Sequence, residues 1–122
     1  MPSPEIAAFL RDHFKSVWAL ELLLFLKAHA ETAWSGDELV AALRTSPLIV
    51  STSVDMLLAG GLVSVDGQKR VRFAPASDDL SRLVDITQAL YLKKPDRVRR
   101  AIVSSAATGL SAFAESFRLR DD

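Results

Sequence analysis

Residues Val50–Val63, VSTSVDMLLAGGLV, are the most informative part of the sequence, because their apolar period changes from that of a helix to that of a strand. Three residues at positions i, i+4 and i+7 would form the inward face of the helix: Val50, Val54 and Leu57. Gly60-Gly61 then supplies the residue type that tolerates a left-handed helix end. The alternation of Leu62-Val63-Ser64-Val65 is typical of a half-buried strand. The stretch predicts a helix over residues 47–59 that leads directly into a strand.

A second short strand follows. Arg70-Val71-Arg72-Phe73 alternates in the same way, and Pro75 ends it. Asp66-Gly67 lies between the two runs, and Asp-Gly is a strong signal for the turn of a β-hairpin. The sequence therefore predicts a hairpin over residues 62–74 whose tip is Val65–Arg70.

Three helices are predicted ahead of this stretch, over residues 4–13, 16–29 and 37–44. The second contains the run Val17–Leu26, VWALELLLFL, which is apolar nearly all round. A helix of this kind is buried on several sides, so it should be the central helix. The third follows Ser35-Gly36-Asp37-Glu38, the pattern of a capping box.

Further helices are predicted after the hairpin. Ser77-Asp78-Asp79 would cap a helix that runs to about Lys93, and its carboxylates suit the positive end of the helix dipole. Pro95 restarts a helix, and a last short one covers Ser111–Leu119. No linker rich in Gly, Ser or Pro interrupts the chain.

The predicted fold class is mainly α with a small β-hairpin. One domain covers residues 1–122, with a core over 16–74 and flanking helices over 4–13 and 78–119. A chain of 122 residues is long enough to bury a hydrophobic core of its own.

The order of helices 16–29, 37–44 and 47–59 followed by the hairpin is that of the winged helix-turn-helix. VSTSVDMLLAGGLV resembles the third helix and first wing strand of bacterial regulators of the MarR and ArsR families. The tail Ser111–Asp122 resembles the closing segment of small proteobacterial winged-helix proteins of unassigned role. The resemblance implies a DNA-binding transcriptional regulator that acts as a homodimer and places its third helix in the groove of double-stranded DNA.

Composition narrows the function classes. Lys and Arg total 15 and so do Asp and Glu, so the formal net charge is zero, which excludes binding to nucleic acid by bulk charge. Residues 1–61 carry 4 positive and 7 negative side chains, a net −3, whereas residues 62–122 carry 11 and 8, a net +3. The absence of Cys excludes disulfides and thiolate metal sites.

The location expected from the sequence is the cytoplasm. The start, Met1-Pro2-Ser3-Pro4-Glu5, lacks the basic region of a signal peptide. The most apolar run, Val17–Leu26, is far shorter than the roughly 20 residues that span a bilayer. We expect no membrane segment.

The candidate DNA contacts lie on the third helix and on the hairpin. They are the hydroxyl residues Ser51, Thr52 and Ser53 and the cations Lys69, Arg70 and Arg72. No Lys or Arg lies between Arg44 and Lys69, so the helix lacks the Arg that most often contacts guanine. Asp55 would repel phosphate. The hairpin cations could equally be the solvated face of an exposed hairpin.

A second interpretation belongs to another class. The neutral, partly apolar third helix, with Leu48, Ile49 and Thr52, would meet a protein partner, and the domain would be a protein–protein interaction module without DNA binding. An apolar patch under negative potential would favour this module, and one positive face over helix and hairpin would favour regulation. The basic run Lys93–Arg100 is interpreted as solubilising a helix joint.

The flanking helices carry apolar stripes that suit a homodimer. The candidate interface residues are Ile6, Phe9, Leu83, Leu90, Phe113 and Phe117. The alternative is that they fill the core of one chain.

Nothing in the sequence predicts an enzyme. His13 and His29 are the two histidines, and they are not at metal-ligand spacing. The paired carboxylates Asp37-Glu38 and Asp78-Asp79 lie at helix starts, where capping accounts for them. We expect no catalytic residue, no metal site and no cofactor.

Overall fold

A computed structural model describes residues 4–103. Five helices and two strands have defined bounds within it: α1 Pro4–His13, α2 Val17–Ala28, α3 Gly36–Leu43, α4 Pro47–Ala59, β1 Val63–Val65, β2 Val71–Phe73 and α5 Asp78–Lys93. Residues 95–103 are helical again and are called α6. The fold is mainly helical with one two-stranded antiparallel sheet, which confirms the predicted class. The predicted helix Ser111–Leu119 lies outside the described residues.

Serine side chains cap the N-termini of four helices in the same way. Each Oγ accepts a hydrogen bond from the backbone N–H three residues on, which satisfies one of the free donors of the first turn. The caps are Ser16, Ser35, Ser46 and Ser77. At α3 the Glu38 carboxylate also accepts from the Ser35 N–H at 2.8 Å, so the predicted capping box is present.

Helix α2 is the centre of the fold, as its apolar run predicted. Its leucines at positions 20, 22, 23 and 26 are buried, and it packs against α4 and β2. Burying one such side chain stabilises a fold by about 1.5–3 kcal/mol. The long apolar run is therefore explained by packing on more than one side.

One tryptophan adds to the contacts that attach the hairpin to the helices. Val63 pairs with Phe73 and Val65 with Val71 in β1 and β2. Trp34, just before α3, forms an antiparallel bridge with Val71. Its backbone N–H donates to the Val71 carbonyl at 2.8 Å, and its carbonyl accepts from the Val71 N–H at 2.7 Å. Its ring lies 4.9 Å from that of Phe25 on α2. Trp34 thus reinforces the packing of β2 against the central helix, through its backbone on β2 and its ring on α2.

The hairpin turn forms where Asp66-Gly67 predicted it, but the left-handed residue is Lys69, at φ 62°. Lys69 N–H donates to the Asp66 carbonyl, and Asp66 N–H donates to the Arg70 carbonyl, each at 3.0 Å. This is a three-residue loop in which the third residue takes the left-handed position. The Asp66 carboxylate accepts from the N–H groups of Arg70 and Gln68, which lowers the pKa of Asp66.

The apolar stripes of α1 and α5 pack into the hydrophobic core of the chain. Ile6, Phe9 and Leu83 are buried, and Leu90 is half-buried against the same core. Ile6, Phe9 and Leu83 are therefore not available as an exposed dimer interface, because α1 and α5 pack against each other, and Leu90 is only partly available. Phe113 and Phe117 lie outside the described residues.

Contacts at Tyr91 of α5 link α6 to the central helix. Val98 and Ile102 bury the inward face of α6. Tyr91 donates its hydroxyl to the Glu21 carboxylate on α2, and the Arg99 guanidinium lies 5.4 Å from the centre of the Tyr91 ring. Burial, and then the bond to Glu21, raises the pKa of Tyr91.

Candidate functional site

The outward face of α4 is the first place to look for the predicted contacts. Ser51 and Thr52 are exposed there. Ser53 is only 3% exposed, because it stands three residues after Val50 on the inward face of the helix. Ser53 therefore cannot contact a partner in this conformation, and the candidate set on α4 narrows to Ser51 and Thr52.

A groove of about 450 Å³ lies between α3, α4 and the hairpin. Its wall is mostly aliphatic. Six residues from two helices and the two strands of the hairpin contribute: Val40, Val50, Val54, Leu58, Val65 and Val71. Leu58 is 46% exposed and Val65 is 38% exposed, so much of this apolar surface faces solvent. Leu48, at the start of α4, is 75% exposed.

The charge beside this groove is more negative than positive. The carboxylates of Asp37 on α3 and Asp55 on α4 line it, together with the ammonium group of Lys69. Within residues 4–103 none of these three side chains forms an ion pair. Helix α4 itself carries no Lys or Arg. This face would therefore repel a phosphate backbone, since nucleic-acid affinity depends largely on neutralising phosphates.

Two of the three hairpin cations lie elsewhere. Arg70 and Arg72 line a separate depression with Glu31 and Asp66, because side chains alternate across a strand and Val71 faces the groove instead. Arg70 Nε lies 3.5 Å from Asp66 Oδ2, and Arg72 donates to the Glu31 carbonyl at 3.2 Å. The structure therefore separates Lys69 from Arg70 and Arg72.

The histidines take part in aromatic packing. The ring of His13 lies 4.5 Å from that of Phe9, and that of His29 lies 4.6 Å from that of Phe25. Over the described range, no three His, Asp or Glu side chains are grouped as metal ligands would be. In the same range, no helix is long and apolar enough to cross a membrane.

The groove is the feature that sequence reasoning missed. The spacing of Val54 and Leu58 on α4 carries a hint of it, because both lie beside the buried stripe. Val40 and Val65 come from a different helix and from a strand, so no local pattern could bring them together. Comparison with protein-family models, curated proteins and solved structures finds no match for the chain.

Proposed function

We propose that residues 16–74 form a winged helix that acts as a protein–protein interaction module in the cytoplasm. Its binding surface is the groove between α3, α4 and the hairpin. The occupant is an amphipathic helix of a partner protein that carries Lys or Arg beside its apolar stripe.

Two features support the winged-helix assignment. One is the order of three helices followed by a hairpin. The other is the bridge from Trp34 to Val71, which makes the segment between α2 and α3 a third, one-residue strand beside β2. In a helix-turn-helix domain of this order, α4 is the helix that would meet a partner.

The observation that carries the proposed activity is the composition of the groove. An aliphatic wall of valines and Leu58 suits the apolar face of a helix, which is a recurring mode of peptide recognition. The two carboxylates, Asp37 and Asp55, outnumber the single ammonium group of Lys69. Charge complementarity therefore selects a basic amphipathic helix over an acidic one.

A displayed library of helical peptides tests this proposal. We expect the full chain to enrich peptides with apolar residues at i, i+3 or i+4, and i+7, flanked by Lys or Arg. Leu58→Asp should reduce the affinity of the enriched peptides at least tenfold, because it places a charge on the apolar wall. Asp55→Lys should shift the enriched sequences toward acidic flanks.

Leu92→Asp is the matched control for this experiment. Leu92 is 78% exposed and does not line the groove, so this variant should bind the enriched peptides as the parent chain does. Circular dichroism establishes that both variants fold. Equal binding by Leu58→Asp and Leu92→Asp, or an absence of enriched helical peptides, would contradict the proposal.

Double-stranded DNA is a second candidate partner, and one observation favours it. Lys69, Arg70 and Arg72 are all exposed, which puts three cations within four positions of the hairpin. In that case the domain would be a transcriptional regulator, and a homodimer would double the number of phosphate contacts. A gel-shift assay with random duplex at about 50 mM salt, where non-specific affinity is strong, should show binding that Arg70→Glu with Arg72→Glu abolishes. No shift at that salt concentration would remove this candidate.

A further inference from the structure

Unpaired positive charge is concentrated at the joint between α5 and α6. Four cations, two from each side of Pro95, line one depression of about 370 Å³: Lys93, Lys94, Arg97 and Arg100. We call this feature the basic joint. All four residues are exposed.

Among residues 4–103, the cations of the basic joint differ from most others in having no side-chain partner within that range. Arg82 is bound to the carboxylates of Glu5 and Asp79, and Lys27 to that of Asp85. Within residues 4–103 the four side chains of the basic joint form neither an ion pair nor a hydrogen bond. One carboxylate, that of Asp96, also lines the depression, and its Oδ1 accepts a hydrogen bond from Arg99 at 3.4 Å.

The fold holds these cations in place. Pro95 cannot continue the hydrogen bonds of α5, so the chain turns and a new helix begins. Val98 and Ile102, four residues apart, are buried and fix the inward face of α6. Arg97 and Arg100, three residues apart, therefore share the outward side. The positive surface is thus set by packed helices.

We propose that the basic joint binds phosphate groups of a nucleic-acid backbone. Lys offers a compact charge and Arg offers a planar fork of donors, and both are the residues that position proteins on phosphates. This inference is independent of the groove and of the hairpin cations, because no residue of the basic joint lines either depression. Three to four phosphate contacts predict a salt dependence with a slope of about −3 to −4 in log K against log salt.

A nucleic acid fits this surface better than an anionic membrane does. Surfaces that bind membranes place an apolar stripe with Trp, Phe or Leu beside their cations. Within residues 4–103, the exposed apolar residues nearest in sequence, Leu92 and Val103, do not line the depression. The basic joint is a shallow depression lined by charged side chains and Pro95, and it is open enough for a phosphate group to reach them.

Fluorescence anisotropy with a labelled duplex of about 20 base pairs, measured over a salt series, tests the inference. We expect the full chain to bind with the slope given above. Arg97→Glu with Arg100→Glu should reduce the affinity at least tenfold at about 50 mM salt. It should also make the slope shallower by about 2, since two phosphate contacts are lost. Lys15→Glu with Arg44→Glu is the matched double reversal: both residues are exposed and line neither the basic joint nor the hairpin depression, so both quantities should stay unchanged.

Three results would overturn the inference. The first is an absence of duplex binding at about 50 mM salt. The second is a loss of duplex binding in Arg70→Glu with Arg72→Glu and none in Arg97→Glu with Arg100→Glu, which would assign the contact to the second candidate function. The third is binding of the parent chain to vesicles rich in phosphatidylserine and not to the duplex. Leu58→Asp should leave duplex binding intact, so failure of the groove proposal and failure of this one are distinguishable.

Discussion

Lys69 has a backbone conformation that its turn requires but that is unfavourable for a residue with a side chain. Its φ of 62° is in the left-handed region, which costs a residue with a side chain roughly 1–2 kcal/mol. The turn requires that conformation at its third position, where glycine is the usual residue. The glycine of this loop, Gly67, is two positions earlier, where φ is not positive.

We expect Lys69→Gly to raise the free energy of unfolding by up to about 1 kcal/mol, because the relief of strain exceeds the extra entropy of glycine in the unfolded chain. Urea unfolding followed by circular dichroism measures the change. The control is Gln68→Gly, at the neighbouring position with ordinary φ, which should lower the free energy of unfolding by about 0.5–1 kcal/mol. A loss of stability in Lys69→Gly would contradict the assignment of strain.

At the scale of elements, α1 and α4 meet at a glycine. A Cβ placed on Gly60, the residue that ends α4, would lie 2.8 Å from His13 Cδ2 at the end of α1. The backbone of Gly60 is in the ordinary helical region at φ −81°, so the side chain of His13 alone limits this position. The next residue, Gly61, has φ 74° and would be strained by any side chain.

We expect Gly60→Ala to lower the free energy of unfolding by about 1–3 kcal/mol through overpacking against His13. His13→Ala should relieve most of this loss in the double variant, because it removes the atom that the new methyl group meets. Gly61→Ala should be destabilising whether His13 is present or not. A double-mutant cycle by urea unfolding measures the coupling, and additive effects at Gly60 and His13 would refute the contact.

The helix starts could be predicted from sequence because their chemistry is local. Ser35 and Glu38 lie within one turn of each other, so a pattern of four consecutive residues suffices to identify the capping box. The burial of Ser53 follows from the same helical period that identified Val50, and a stricter count of positions would have found it. The partners of Ile6 and Leu83 could not be predicted, because an apolar stripe does not reveal whether its own chain or a second copy covers it.

At the scale of the whole molecule, α2 connects the two ends of the described fold. It packs against α4 and β2 on one side, and its Glu21 accepts from Tyr91 on the other. The Tyr91 hydroxyl is thus a titratable link between the central helix and the α5–α6 region. It is the single tyrosine of the chain, so its titration can be observed without overlap.

The raised pKa of Tyr91 predicts a loss of stability in alkali. Below about pH 10 the phenol is protonated in both the folded and the unfolded chain, and its contribution is complete. As the pH rises above 10, the unfolded chain loses this proton first, and the free energy of unfolding falls. Tyr91→Phe should cost about 1 kcal/mol at pH 8 through the lost hydrogen bond, and the difference from the parent chain should shrink above pH 10.

Urea unfolding of both chains at pH 8 and near pH 11 measures this difference. Lysines titrate in both chains alike, so the comparison isolates Tyr91. A difference that is constant or grows with pH would show that the phenol is not favoured by folding.

Trp34 can also serve as an intrinsic fluorescence probe of the hairpin. Trp34 lies against the rings of Phe25 and His29, whereas Trp18 on α2 is 39% exposed. Indole emission moves to longer wavelength when water reaches the ring, so a Trp18→Phe chain holds one fluorophore placed where the hairpin meets the central helix. The wavelength of its emission maximum would then report, without any added dye, whether a bound peptide or duplex separates the hairpin from α2.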